Sequence, residues 1–278
     1  MKSYIKLITL FAISIFFSCE DVIDLEVQTA PERLTIEASL DWEKGTSGNN
    51  QTIKLSTSSA YFAENQDNPV TNATVKVTNT NTLEEFIFTN ENNGNYSTDS
   101  FNPIVNNTYD LEIVYNNETY TATESLKPVT DITRVEQSTD KGFDDEILEV
   151  NVFFNDPEDE ENYYLFKYKE SGDLLFELED ADDEFINGNE VGWWYEKDED
   201  DEQGEFTVGD QVEVEMYGIS KAYFNYIRTL IEQSEGVGLF SATPVALKGN
   251  CINQTNSENY AHGFFRLTQV VKTKYTFE

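Results

Sequence analysis

Polar and apolar residues alternate along most of this chain with a period of two, the signature of half-buried β-strands. Residues 34–40 read Leu-Thr-Ile-Glu-Ala-Ser-Leu, and residues 52–56 read Thr-Ile-Lys-Leu-Ser. The alternation continues through 73–77 and 85–88, and Asn92-Asn93-Gly94-Asn95 punctuates it with a turn. Residues 109–115 and 119–123 flank Asn116-Asn117, which predicts a hairpin closed by a two-residue turn. Six or seven short strands in about a hundred residues, with no helical period, predict an immunoglobulin-like β-sandwich over residues 32–127.

The segment Leu126-Lys127-Pro128-Val129-Thr130 reads as a boundary. Beyond it the pattern predicts strands over 148–154, 163–168, 212–217, 263–267 and 270–272. Residues 177–189 and 197–205 read as acidic loops on either side of Gly192-Trp193-Trp194-Tyr195. One helix is predicted, over 220–234. Ser220 is suited to its N-cap, and Tyr223, Tyr226, Ile227, Leu230 and Ile231 fall on one stripe. Gly236 and Gly238 stop it. The predicted fold class is mainly β: an N-terminal immunoglobulin-like β-sandwich, then a second β-rich unit over 128–278 with one packed helix.

The N-terminus departs from this pattern. Lys2 and Lys6 precede an apolar run over residues 7–17 that stops just before Cys19. The run is about half the length that spans a bilayer as a helix, so it fits the core of a secretory signal. Phe16-Phe17-Ser18-Cys19 resembles a relaxed bacterial lipobox, with Phe16 where the strict form has Leu. Residues 1–18 are then a cleaved signal peptide. Cys19 carries a diacylglycerol thioether and an N-acyl chain, and 19–31 is a polar tether. Several acyl chains, at about 0.8 kcal/mol per buried CH₂, make a permanent anchor. Glu20 and Asp21 resemble the export signal that carries bacteroidete lipoproteins to the outer face of the outer membrane.

Charge narrows the partners. The chain has 18 basic and 53 acidic residues and a net charge of −35, and loss of Lys2 and Lys6 deepens it to −37. Such a chain is repelled by nucleic-acid phosphates and by anionic lipid, so membrane affinity must come from the acyl chains. A composition of 38% hydrophobic and 13% aromatic residues distinguishes it from a disordered acidic tail. With Cys19 lipidated, Cys251 is left single. No intramolecular disulfide or cysteine zinc site is then available, and a buried structural thiol is predicted.

Candidate chemistry is sparse. His262 is the one histidine, without a nucleophile-elbow or zinc-helix motif to serve. A structural role is predicted for it, with no catalytic residue and no enzymatic activity. Acidic groups Asp180, Asp182, Asp183, Glu184 and Asp198, Asp200, Glu202 suggest calcium by composition. A calcium-binding helix–loop–helix pattern counted from Asp198 fails, because its sixth position holds Gln203 instead of Gly. Trp193, Trp194 and Tyr195 form a candidate ligand-stacking platform, because adjacent strand residues cannot all face one core.

Taken in order, Glu32-Arg33-Leu34-Thr35-Ile36-Glu37-Ala38, Thr52-Ile53-Lys54-Leu55-Ser56, Ser58-Ser59-Ala60-Tyr61-Phe62, Pro69-Val70-Thr71-Asn72-Ala73-Thr74-Val75 and Gly94-Asn95-Tyr96 carry a family resemblance. Tyr109-Asp110-Leu111, Thr119-Tyr120-Thr121-Ala122, Gly249-Asn250 and Gly263-Phe264-Phe265 complete it. The series resembles family DUF4249, bacteroidete lipoproteins often encoded beside TonB-dependent receptors. The resemblance implies no catalytic residues and an accessory role at such a receptor. The expected function is a surface-exposed outer-membrane lipoprotein, without a cofactor, that binds a TonB-dependent transporter or its cargo. The alternative is a glycan- or calcium-dependent surface binding module.

Overall fold

Residues whose alternation predicts strands pair into two sheets over a shared apolar layer. The computed structural model describes residues 30–60, 68–142, 147–158, 160–184, 186–197, 204–235 and 245–278. Residues 1–18, Cys19, Glu20 and Asp21 therefore lie outside the described residues, as do Asp198, Asp200 and Glu202. Every described element falls in a single unit, Glu32–Glu278.

In the first half, β1 (Leu34–Glu43), β2 (Gln51–Thr57) and β5 (Asn95–Thr98) pair in the order β1-β2-β5. Opposite them run β4 (Glu84–Asn90), β3 (Thr74–Asn79), β6 (Thr108–Tyr115) and β7 (Glu118–Ser125), in that order. A short β4–β5 pairing, Thr89 to Ser97 and Asn90 to Tyr96, joins the two sheets at one corner. Ile36, Ile53, Leu55 and Tyr96 on one side meet Val75, Val77, Phe86, Leu111 and Ile113 on the other in one core. This is a β-sandwich of seven strands, where the sequence predicts six or seven. The Asn116-Asn117 hairpin forms as expected, with both residues at positive φ, as a right-twisted two-residue turn requires.

The second half stacks three layers. The strands β11 (Glu177–Asp182), β10 (Tyr163–Glu170), β13 (Gln211–Ile219) and β15 (His262–Thr276) continue the first sheet outward from β1. A separate sheet of β12 (Glu190–Tyr195), β9 (Glu149–Asn155) and β8 (Ile132–Ser138) covers one face, enclosing Val152, Phe154, Phe166, Tyr168, Val214 and Met216. Helix α1 (Lys221–Glu235) lies with Tyr223, Phe224 and Ile227 against Leu165, Tyr217, Ile219 and Phe264. A two-residue strand, β14 (Ile252–Asn253), pairs with β7.

Several expectations are corrected. Residues 177–182 are the edge strand β11, not a loop. Asp180 and Asp182 there meet Arg228 of α1 at 2.8 and 3.6 Å, while Ala181 enters the core. A charged edge of this kind also resists pairing with another chain. Ser220 caps α1 as predicted, its Oγ accepting from Tyr223 N–H at 3.2 Å. The helix stripe is shifted, however: Phe224 is buried and Leu230 exposed. Segments 263–267 and 270–272 are one fifteen-residue strand, β15. Strand β8 was not foreseen, because its residues lack a clean alternation and are half-buried or exposed.

The chain leaves the first core at Leu126 and enters the second at Val129. The tail then returns, placing Cys251, Ala261, Phe265 and Leu267 in the first core. Gly249 and Gly263, both at positive φ, permit this return. A Cβ on Gly249 would collide with the Gly263 carbonyl, and one on Gly263 with the Ile36 carbonyl. Next to them the Asn250 side chain imitates a strand. Its Oδ1 accepts from Phe265 N–H and its Nδ2 donates to Phe265 O, both at 2.8 Å. Asn250→Ala strips both bonds from a buried backbone, and a loss of about 2–4 kcal/mol is expected by urea unfolding. Asn250→Asp keeps the acceptor and should lose less.

Candidate functional site

The aromatic triplet divides by parity. On β12, Val191, Trp193 and Tyr195 face the second core, and Trp194 faces the other way. Trp193 stacks on Phe166 at 5.5 Å with its Nε1 donating to Glu179 Oε2 at 2.6 Å, and Tyr195 stacks on Tyr168 at 4.3 Å. These two rings are committed to packing. Trp194 is the half-buried member on the outer face.

The acidic and histidine candidates are engaged internally. Asp180 and Asp182 hold Arg228, and Asp183 Oδ2 accepts from Asn162 N–H at 2.8 Å. Among the described residues no three His, Cys, Asp or Glu side chains converge as a metal site. His262 Nδ1 lies 3.1 Å from Leu247 O, and its ring meets Tyr260 edge-on at 5.4 Å. Its hydrogen-bond partner among the described residues is thus a main-chain carbonyl.

A cleft of about 370 Å³ opens where the chain crosses between the cores, lined by Lys127, Thr130, Glu161, Asn162, Tyr163 and Lys221. Its size suits a small ligand, but small-molecule sites are mostly apolar with a few convergent polar groups. Here Lys221 and Glu161 neutralise one another at 3.2 Å on the rim. The Tyr163 hydroxyl also donates to Glu161 Oε2 at 3.1 Å, so that carboxylate is engaged twice.

The most unusual surface was missed in the sequence. The β10–β11 turn carries Leu174 and Leu175 at 93% and 82% exposure, followed by half-buried Phe176. Lys169 steadies the turn, its Nζ donating to Leu174 O at 3.4 Å and lying 5.3 Å from the Phe176 ring. Exposed Val208 precedes β13 at the same end of the sheet, where Ser171 N–H donates to Gln211 O at 3.2 Å. Three successive apolar residues after Ser171-Gly172-Asp173, itself a turn sequence, were the available signal.

An ion pair joins buried Arg266 to half-buried Asp41. Arg266 Nη2 donates to Asp41 Oδ2 at 3.1 Å and its Nε to Ser39 Oγ at 3.0 Å. Nη1 approaches Asp41 Oδ1 at 2.9 Å, too poorly angled to be a hydrogen bond and so an ion-pair contact alone. The guanidinium also sits 5.0 Å from the rings of Tyr217 and Tyr223. On the same face Lys167 is pushed below its ordinary lysine range, first by burial and then by the Arg266 charge. Arg266 is the buried member of this group, and Asp41 and Lys167 are half-buried beside it.

The model of the family described as "Domain of unknown function (DUF4249)" matches residues 20–274. No curated protein matches the sequence. Among solved structures, a two-domain fibronectin type-III segment from chicken tenascin is similar over 60% of this chain and 83% of that one, at 9% identity and a TM-score of 0.22.

Burial pushes the Cys251 thiol up to about 12, so it stays protonated at neutral pH. In the folded chain, Cys251 should resist maleimide at pH 7.5 and react fully in 6 M guanidinium, read by intact mass. Rapid labelling of the native protein would contradict this packing.

Proposed function

The chain belongs to family DUF4249, and on that premise we propose that it is a non-catalytic partner-binding protein, held by acylated Cys19 on the outer face of an outer membrane. The partner is a TonB-dependent transporter or the cargo it imports. The observation that carries the binding reading is the exposed Leu174-Leu175 turn. An isolated exposed leucine is ordinary, but adjacent exposed leucines at a turn offer a partner a contact point. No catalytic constellation among the described residues competes with that reading. The cleft is lined by polar groups, and Lys221 and Glu161 on its rim pair with one another. The glycan-stacking alternative is left with Trp194, since Trp193 and Tyr195 are packed inward.

The lipid anchor and the export signal rest on the sequence around Cys19, Glu20 and Asp21. Palmitate labelling of wild type but not Cys19→Ala tests the first, and protease shaving of intact cells tests the second.

The binding surface has its own test. Leu174→Asp with Leu175→Asp should leave the melting temperature unchanged, because both side chains are already in water. Each leucine buried at an interface contributes about 1.5–3 kcal/mol, so affinity for the transporter should fall at least roughly tenfold. Pull-down from detergent-solubilised outer membranes, with the receptor identified by mass spectrometry, measures this. Recovery of the wild-type protein with neither a receptor nor any other stable partner would overturn the proposal.

A further inference from the structure

Strand β4 is paired on one side only for most of its length. Against β3 it runs in register from Glu84 opposite Asn79 to Phe88 opposite Val75. On its other side β5 meets it at Thr89–Ser97 and Asn90–Tyr96 and nowhere else. Residues 84–88 therefore present about 17 Å of edge with no strand beside it, at roughly 3.4 Å per residue.

The direction of the backbone follows from the corner where β4 and β5 touch. Glu91 N–H donates to Asn95 O at 2.9 Å. Alternate strand residues turn their main-chain groups to the same side, so Thr89, Ile87 and Glu85 face that way too. Thr89 finds Ser97 there. Ile87 and Glu85 meet no strand, because β5 has parted from β4 before it could reach them. Phe86 and Phe88 turn their main-chain groups to β3, and their rings enter the core.

Where the strands part lies an opening of about 490 Å³, bordered by Asn50, Thr52, Ile87, Thr89, Ser97 and Asp99. Ile87 is 61% exposed, so an incoming strand would gain an apolar contact as well as main-chain partners. Exposed edges are usually blunted by Lys, Pro, a bulge or a covering segment. Strand β4 contains neither Lys nor Pro, and its register with β3 is unbroken. By contrast β7 carries β14, and β11 carries Asp180 and Asp182 held by Arg228.

Charge selects what can dock. Glu85 is paired with Lys76 at 3.0 Å. Glu84 begins the open edge and Asp99 borders the opening, and both are exposed. A second copy of the chain would bring the same acids to the same edge at a net charge of −35, which disfavours it as the occupant.

We propose that β4 receives an extended segment of a partner protein by strand addition, with Lys or Arg of that segment toward Glu84 and Asp99 and an apolar side chain against Ile87. The N–H and C=O groups of Glu85 and Ile87 hold the segment, and the flanking side chains select it. This rests on the partner-binding reading but uses a surface other than the leucine turn, and its test on the purified chain is independent of the transporter pull-down.

The experiment uses the chain from residue 20, made without lipid. Amide hydrogen exchange by NMR should find Glu85 and Ile87 at least roughly tenfold faster than Phe86 and Phe88. The probe is a fluorescein-labelled nine-residue peptide alternating Val with Lys and Thr, followed by anisotropy. Its binding should saturate and slow exchange at Glu85 and Ile87. The same peptide with its backbone amides N-methylated keeps the charge and loses the main-chain bonds, so it should bind at least tenfold more weakly. Ile87→Pro removes an outward N–H and should abolish binding. Ile87→Lys leaves the backbone intact and adds the kind of charge that protects natural edges, and at least a tenfold loss is expected. Slow exchange at Glu85 and Ile87 in the free protein would overturn the proposal, because the edge would already be filled, by a second copy where the slowing grows with concentration. Absence of saturable peptide binding would overturn it as well. So would equal binding of the N-methylated peptide, which would show charge attraction alone.

Discussion

Strand β15 carries the constraint on which the rest of the molecule depends: both of its edges must be hydrogen-bonded along almost its whole length. Even-numbered residues from 264 to 268 turn their backbone groups to β1, which runs parallel to it from Thr35 opposite His262 to Glu43 opposite Val270. The odd-numbered residues face the other way and find partners in sequence. Phe265 pairs with the Asn250 side chain. Leu267 O accepts from Lys127 N–H, and Gln269 N–H donates to Lys127 O. From Val270 onward β13 takes over as an antiparallel partner. A buried backbone group left unpaired costs about as much as a lost hydrogen bond, so each of these partners is an obligation. The crossing between the two cores is therefore part of the sheet and not a free linker. Gly218 makes room for it, since a Cβ there would strike the Pro128 carbonyl.

The same strand explains why polar residues sit deep inside. Residues 264–270 are all buried, because the first sandwich covers one face of β15 and α1 covers the other. Arg266 and Thr268 on the helix side must then be satisfied locally, and Asp41, Ser39 and the Gly218 carbonyl do so. A pair with one buried member adds little net stability compared with apolar packing, but removing Asp41 would leave the buried Arg266 charge without its partner. Its geometric effect is to fix register. A one-residue slip of β15 against β1 would move Arg266 into the apolar core and Phe265 out of it. Past Val270 the helix no longer covers the sheet, and the strand reverts to simple alternation of half-buried and exposed residues.

That switch also marks the limit of what the sequence discloses. Strands with one wet face were legible: β1, β2, β3, β4, β6 and β7 appear where the alternation puts them, and the hairpin at Asn116-Asn117 with them. The helix and its Ser220 cap were legible too. What failed were elements whose pattern is set by distant chain. The doubly covered half of β15 has no period to read, so one strand looked like two. Acid-rich β11 looked like a loop because Arg228, 48 residues onward, is what makes Asp180 tolerable at a strand edge. The candidate sites fared similarly. Strand parity anticipated that the aromatic triplet would split, but not which members would face the core. The burial of Glu149 on β9 was likewise illegible, because nothing local distinguishes one buried glutamate among 53 acids.

Charge and surface chemistry together bear on how an exposed apolar turn is tolerated. A leucine pair at a hairpin tip is ordinarily a risk for self-association. At a net charge of −35, two copies approaching tip to tip repel one another well before the leucines meet. The repulsion is screened over about 8 Å at physiological ionic strength, a distance comparable to the reach of the turn itself. Only a partner that offers cationic groups around an apolar recess relieves both problems at once. In the proposed interaction the acidic body would act as a filter on what the turn can touch, disfavouring like copies and anionic surfaces over a complementary protein face. Selectivity in the proposed interaction would then come mainly from the charge of the whole molecule, and affinity from a few apolar atoms at its tip.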